Sequence, residues 1–177
     1  MSFLKILLRN LRQGPATDPY PFGKTFIPDG LRGKIKYNPQ ACVACRMCEH
    51  VCAGGAIRIT EAEDQSGLNF TLWHNTCAFC GLCQYYCPTQ AIRLTTDFHT
   101  VHRQAEKYDY VETGFVKYVA CRRCGQPMVP VVKELLTKVY GDPDGQVKAL
   151  ANLCESCRRA ISAESGVNKG WTKELKK

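Results

Sequence analysis

Along the first twelve residues, Phe3, Leu4, Leu7, Leu8 and Leu11 recur at three- and four-residue spacings, with Lys5, Arg9 and Arg12 on the opposite side. That period predicts an amphipathic helix, which Gly14-Pro15 ends. The following stretch, ATDPYPFGKTFIPDG, is dense in proline and glycine and predicts an extended arm. Further on the period changes to two. Ile57 and Ile59 alternate with Arg58 and Thr60, and Leu68, Phe70 and Leu72 alternate with Asn69 and Thr71. With the turn-rich EAEDQSG between them, these predict a β-hairpin of strands Ile57–Glu61 and Leu68–Trp73. A further strand is expected around Phe115–Ala120. PVVKELLTKVYG then returns to helical spacing, with Val132, Leu135, Leu136 and Val139 as its stripe. DPDG reads as a turn, GQVKALANL as a second short helix, and WTKELKK as a loose polar end.

Superimposed on this pattern is a repeat. Cys42, Cys45, Cys48 and Cys52 return as Cys77, Cys80, Cys83 and Cys87, each 35 residues later. Ala56-Ile57-Arg58 returns as Ala91-Ile92-Arg93, and Thr60 as Thr95. Such self-similarity marks duplication of one small unit. Short helices are expected after the third cysteine of each copy.

Composition changes the picture mainly through its cysteines. The chain has 177 residues, of which 12 are cysteine and 45% apolar. That length allows one compact domain with appendages, or two very small ones. No secretory h-region is visible, because charges break the N-terminal apolar stretch. No run reaches the roughly 18–20 apolar residues that span a bilayer. Cysteines two or three residues apart suit chelation better than cross-linking, so a metalloprotein in a reducing compartment is expected, not a disulfide scaffold. The net charge of +8 hints at nucleic acid, but it counts cysteines as neutral. Four thiolates around a 2+ core or a divalent ion sum to about −2, so three such sites bring the loaded protein to roughly +2. The basic residues are also scattered and not interleaved with aromatics, and no nucleic-acid partner is expected.

The spacing C-x2-C-x2-C-x3-C is that of cubane [4Fe–4S] clusters. Two-residue spacers let three sulfurs curl around one cluster while backbone N–H groups face the sulfides. The fourth cysteine points away and serves the partner cluster in two-cluster proteins. The first cluster is therefore assigned to Cys42, Cys45, Cys48 and Cys87, and the second to Cys77, Cys80, Cys83 and Cys52. Cys87 is followed by Pro88 but Cys52 by Ala53-Gly54-Gly55, so the turn at Cys52 lacks the fixed φ of proline and is expected to be looser.

A separate set, Cys121, Cys124, Cys154 and Cys157, offers two C-x-x-C pairs for a tetrahedral four-thiolate site. Gly125 fits the knuckle turn of zinc ribbons and rubredoxins. Zn2+ is the default occupant. A single mononuclear iron uses the same ligands, and two disulfides remain the third reading. A zinc ion here would staple a module too small to hold itself together.

The remaining candidate side chains carry weaker signals. His99 and His102 would lie one turn apart on a helix but have no carboxylates beside them. His50 sits within the first motif and reads as exposed. Tyr85-Tyr86 are expected to pack over a cluster and keep water out. No phosphate loop, nucleophile–base pair or flavin fingerprint is present, so no catalytic residue is assigned.

The duplicated motif, together with Phe3–Arg12, Pro19-Tyr20-Pro21 and Arg32-Gly33 before it, resembles the two-cluster ferredoxin-type subunit shared by complex I (its TYKY-type subunit) and membrane-bound [NiFe] hydrogenases. CRRCGQPMVPVVKEL followed by CESCRR resembles more narrowly the iron–sulfur component of formate hydrogenlyase and its hydrogenase-4 counterpart. The resemblance implies a non-catalytic electron-transfer subunit with two [4Fe–4S] clusters. Its implied partners are an upstream iron–sulfur donor, the [NiFe] hydrogenase small and large subunits, and membrane-arm subunits. It implies peripheral association at the cytoplasmic face of the inner membrane. The expected fold is α+β: helix and arm (1–34), a bacterial ferredoxin-like domain (35–97), a linker (98–120), a four-cysteine zinc-ribbon or rubredoxin-like module (121–160) and a tail (161–177).

Overall fold

A computed structural model describes residues 3–15 and 17–166. The polar end WTKELKK lies outside the described residues. The chain divides into two compact units, one up to Leu31 and one from Arg32 onward. In the first, helix α1 (Phe3–Gln13) buries none of its residues. Gly14 ends it as predicted, at φ +73°, donating its N–H to the Asn10 carbonyl at 3.0 Å. Glycine carries this left-handed conformation without steric cost.

The second unit contains strands β1 (Ile35–Tyr37), β2 (Ile57–Glu61), β3 (Gly67–Trp73), β4 (Ile92–Leu94) and β5 (Val111–Lys117). The predicted hairpin is β2–β3, with Ile57 opposite Leu72 and Glu61 opposite Leu68. The repeat explains the other pairing. β1 precedes the first cysteine motif as β3 precedes the second, and β4 follows the second as β2 follows the first. Tyr37 stands opposite Ile92 as Leu72 stands opposite Ile57, a displacement of 35 residues on both strands. Each copy therefore pairs its leading strand with the trailing strand of the other copy.

Alternation turns one side of these strands inward. Ile35, Ile57, Ile59, Leu68, Phe70, Leu72, Ile92 and Val116 form one core with Cys83. Tyr37 stacks on Phe70 with ring centroids 3.9 Å apart and planes 15° from parallel. Burying such side chains contributes roughly 1.5–3 kcal/mol each.

Two expectations are revised. The strand placed at Phe115–Ala120 begins at Val111 and pairs with β3 along its length, from Trp73 opposite Val111 to Gly67 opposite Lys117. It stops at Tyr118, whose N–H donates to the Ser66 carbonyl at 2.9 Å. Val119–Ala120 then forms a separate strand, β6, paired with β7 (Pro127–Met128). The pattern misses the earlier half because Glu112 faces the neighbouring β1 and not solvent, accepting from the Tyr37 N–H at 3.0 Å. The short helices α2 (Met47–His50) and α3 (Leu82–Tyr85) also begin one residue before the third cysteine and not after it. The chain reverses at left-handed residues Arg46 and Gly81, which leaves the third cysteine inside the helix.

Helices α4 (Lys133–Tyr140) and α5 (Gly145–Ala151) lie where their periodicity predicts. Asp144 caps α5, its carboxylate accepting from the Val147 N–H at 2.7 Å. Helix α6 (Glu155–Gly166) runs through residue 160 without a break.

Candidate metal centres

The two cysteine loops have the same backbone. Ala44 and Arg46 have φ of 51° and 58°, and their counterparts Phe79 and Gly81 have 49° and 82°. Past the fourth cysteine, Gly55 at 59° matches Gln90 at 55°. Left-handed φ costs a non-glycine residue roughly 1–2 kcal/mol. Alternating hands turn successive N–H groups to one side and make an anion-binding concavity. The sulfurs occupy it. Cys42 Sγ accepts from the Ala44 N–H at 3.3 Å and Cys77 Sγ from Phe79 at 3.4 Å. Cys52 Sγ accepts from Ala56 at 3.1 Å and Cys87 Sγ from Ala91 at 3.2 Å.

Cys42, Cys45, Cys48 and Cys87 line one small cavity, walled by Tyr37, Ile59 and Ile92. Cys52, Cys77, Cys80 and Cys83 line a second, walled by Ile35, Ile57 and Leu72. Each cavity thus takes three sulfurs from one copy and one from the other. Burial, then the neighbouring Cys42 and Cys45, push the Cys48 thiol up to about 12. Burial likewise pushes Cys83 up to about 11. Four thiolates therefore share such a cavity only around a cationic core, and the donor set, N–H cradle and apolar walls fit an iron–sulfur cluster. Cys45 and Cys80, equivalent by the repeat, are the exposed members of each set.

The expected aromatic shield is corrected. Tyr85 and Tyr86 are 81% and 50% exposed, meet each other edge-on and line neither cavity. The α3 helix turns Cys83 inward and leaves the two rings outside. Tyr37, which the sequence reading missed, takes that position on the first cavity, where burial and then the neighbouring Cys42 raise the pKa of its hydroxyl. Its place 35 residues before Leu72, in phase with the repeat, was the available signal. His50 is exposed. His99 and His102 are not helical; His102 stacks on Tyr110 at 4.9 Å, and the Tyr110 hydroxyl donates to the His99 carbonyl at 2.8 Å.

At the second set, the four sulfurs of Cys121, Cys124, Cys154 and Cys157 all lie within 4.8 Å of one another. A tetrahedron with metal–sulfur bonds of about 2.3 Å has edges of about 3.8 Å, so one ion fits. The β6–β7 hairpin carries the first pair, with Gly125 at φ +76° donating to the Cys121 carbonyl at 2.9 Å. The start of α6 carries the second, and the Cys154 N–H donates to Cys121 Sγ at 3.2 Å. Backbone N–H groups of Cys124 and Cys154 draw the Cys121 thiol down to about 6. Among the described residues, besides the sulfurs, the core here holds only Leu153 with Met128, Leu150 and Ile161 packed against it, which is little to fold on.

Residues 41–91 match the protein family described as the 4Fe-4S dicluster domain. Over 66 residues the chain is 30% identical to formate hydrogenlyase subunit 6 of Escherichia coli K12, covering 36% of this chain and 37% of that protein. Over 49 residues it is 37% identical to NAD(P)H-quinone oxidoreductase subunit I of Prochlorococcus marinus AS9601, covering 28% and 24%. The chain thus spans about a quarter to just over a third of the curated relatives it matches. A chain in the structure of the membrane-bound sulfane sulfur reductase, an archaeal respiratory membrane complex, aligns at 21% identity and a TM-score of 0.45, over 82% of this chain and 73% of that one. Among the described residues, no helix is long and apolar enough to cross a membrane.

Proposed function

We propose that this chain is a non-catalytic electron-transfer subunit of a membrane-associated oxidoreductase complex. Cys42, Cys45, Cys48 and Cys87 hold one [4Fe–4S] cluster, and Cys77, Cys80, Cys83 and Cys52 hold the other. When bound, such clusters supply one-electron chemistry without bond rearrangement. The chain's own residues set its conditions. The N–H groups of Ala44, Ala56, Phe79 and Ala91 offset charge on the sulfurs. Tyr37, Ile59 and Ile92 on one side, and Ile35, Ile57 and Leu72 on the other, exclude water. Exposed Cys45 and Cys80 bring each site to the surface.

The observation that carries this reading is the exchange of one cysteine between the two cavities. Anaerobically purified protein is expected to contain about eight irons in clusters and, on reduction, two interacting paramagnets. Four irons would overturn the assignment. Cys52→Ser is expected to damage the cluster on Cys77, Cys80 and Cys83; damage instead to that on Cys42 would overturn the exchange.

The finer reading is a relay between an upstream iron–sulfur donor and the small subunit of a membrane-bound [NiFe] hydrogenase of the formate hydrogenlyase kind. This places the chain peripherally at the cytoplasmic face of the inner membrane, among membrane-arm subunits. Support comes from the similarity to formate hydrogenlyase subunit 6 and from the four-cysteine module, which resembles that kind of subunit. The similarity to the quinone oxidoreductase subunit favours a second reading, a complex I-type relay to quinone. Co-purification in mild detergent separates them: a nickel–iron large subunit is expected, and a quinone-reducing assembly with an NADH-oxidising arm would replace it. The four-cysteine module holds one Zn2+. Metal analysis is expected to find one zinc per chain, whereas a ninth iron with visible thiolate-to-iron absorption would assign mononuclear iron.

A further inference from the structure

Helix α4 lies in the loop between the two cysteine pairs of the four-cysteine site, yet its last turn reaches away from that site. Lys138 Nζ donates to the Pro88 carbonyl at 3.0 Å, across 50 residues of sequence. Pro88 follows Cys87 and lines the first cysteine cavity with it. A lysine in the last turn of a helix ordinarily serves that helix's own carbonyls. This one is committed elsewhere. Among the described residues no side chain donates to the carbonyl of Ala53, the matching residue after Cys52.

The rest of α4 is loosely held. Open grooves flank it, one bounded by Pro39, Phe115 and Glu134, the other by Val119, Leu136 and Ala151. Its N-cap residue Val132 is buried, and Lys138 is the tie at the far end. The loop from Cys124 to Cys154 that contains it is closed by the four sulfurs. Opening that closure frees the ends of the segment that carries α4 and weakens the placement of Lys138.

We propose that Lys138 is a positioning residue for the first cluster, and that the four-cysteine site serves to hold it there. The inference rests on the two-cluster reading above. The hydrogen bond fixes the turn that presents Cys87, and the ammonium charge beside that turn favours the more negative, reduced state of the cluster. Metal at the four-cysteine site is thereby linked to the reduction potential of a cluster it does not touch.

The test is a reductive titration of the full-length chain without air, following each cluster by electron paramagnetic resonance. Lys138→Met is expected to lower the midpoint of the cluster on Cys42, Cys45, Cys48 and Cys87, leave that of the other unmoved, and keep the metal of the four-cysteine site. Lys138→Arg is expected to restore it largely. Cys157→Ser is expected to lower the same midpoint, and the double variant no further than either single one, as two residues acting through one link require. An unmoved first midpoint in Lys138→Met, equal movement of both clusters, or additive shifts in the double variant would each overturn the inference. If Cys157→Ser does not fold, withdrawing the metal of the four-cysteine site with a chelator takes its place: the same lowering is expected in the unsubstituted protein and no further lowering in Lys138→Met, and an unmoved first midpoint overturns the link. Absence of two cluster signals from the unsubstituted protein overturns the underlying reading instead.

Discussion

Glu49 and Gln84 occupy matching places in the two copies and do the same work with different charge. Glu49 Oε1 accepts from the Ile59 N–H at 3.4 Å, and Gln84 Oε1 accepts from the Leu94 N–H at 2.6 Å. Each ties the helix holding its third cysteine to the strand that leaves its own copy. Only Glu49 adds ion pairs, to Arg46 at 3.5 Å and Arg58 at 3.7 Å.

Replacing Gln84 by alanine leaves the Leu94 N–H without this partner. A loss of about 1 kcal/mol is expected in anaerobic denaturant unfolding. Glu49→Gln keeps an acceptor and gives up only partly exposed ion pairs, so a smaller change, roughly 0–1 kcal/mol, is expected. A larger loss for Glu49→Gln than for Gln84→Ala would contradict the equivalence.

Gly54 stands where the second copy has Thr89. A Cβ at Gly54 would strike the Thr76 carbonyl, immediately before Cys77. Gly54→Ala is therefore expected to destabilise the fold by roughly 1–3 kcal/mol. Iron content and resonance intensity of the cluster on Cys77, Cys80 and Cys83 should fall before those of the other. Here the missing proline is answered by close packing, which the cysteine spacing alone did not disclose.

Tyr37 touches both the core and the first cavity. Tyr37→Phe keeps the stack on Phe70 but removes a hydroxyl whose pKa burial and the neighbouring Cys42 raise. A lower midpoint for that cluster, with little change in stability, is the expected result, since an O–H dipole in the cavity wall favours the more negative, reduced state. Tyr37→Ala is expected to cost about 3 kcal/mol and to let water into the cavity. Equal potentials for native protein and Tyr37→Phe would remove the hydroxyl from the account.

His74 is buried, its Nε2 3.4 Å from the Ile35 carbonyl, and desolvation lowers its pKa. The folded state thus resists protonation that the unfolded chain accepts below its ordinary value of about 6.5. More protons are then bound in the unfolded state, so stability falls as pH drops below that value. The slope ends at the lowered folded pKa. Thermal melts of the loaded protein between pH 5.5 and pH 8 should show this slope, and His74→Gln should flatten it.

Much of this was readable in the chain. Ile57 and Ile59 against Leu68, Phe70 and Leu72 disclosed the hairpin because period-two burial is a local property. The cysteine spacing carried the curl of each loop, with its three sulfurs, because that curl is local too. What was not readable depends on distant partners. Nothing near Ile35 announces that it will pair with Leu94, and nothing near Val111 announces Trp73. Tyr85 and Tyr86 looked like a shield because aromatic pairs usually are one, but a four-residue helix has only one inner side, and Cys83 takes it. Left-handed Ala44 and Phe79 are hidden for the opposite reason: the residue types disfavour the conformation that the sulfur contacts require.

The exchange of strands has a consequence for assembly. Because Tyr37 meets Ile92 as Leu72 meets Ile57, two identical half-length chains could satisfy both pairings, and both cysteine quartets, by associating about a two-fold axis. In the present chain the turn after Glu61 is what joins the two copies end to end. Fragments divided in that turn should recombine in solution as complementary halves, neither assembling a cube without the other.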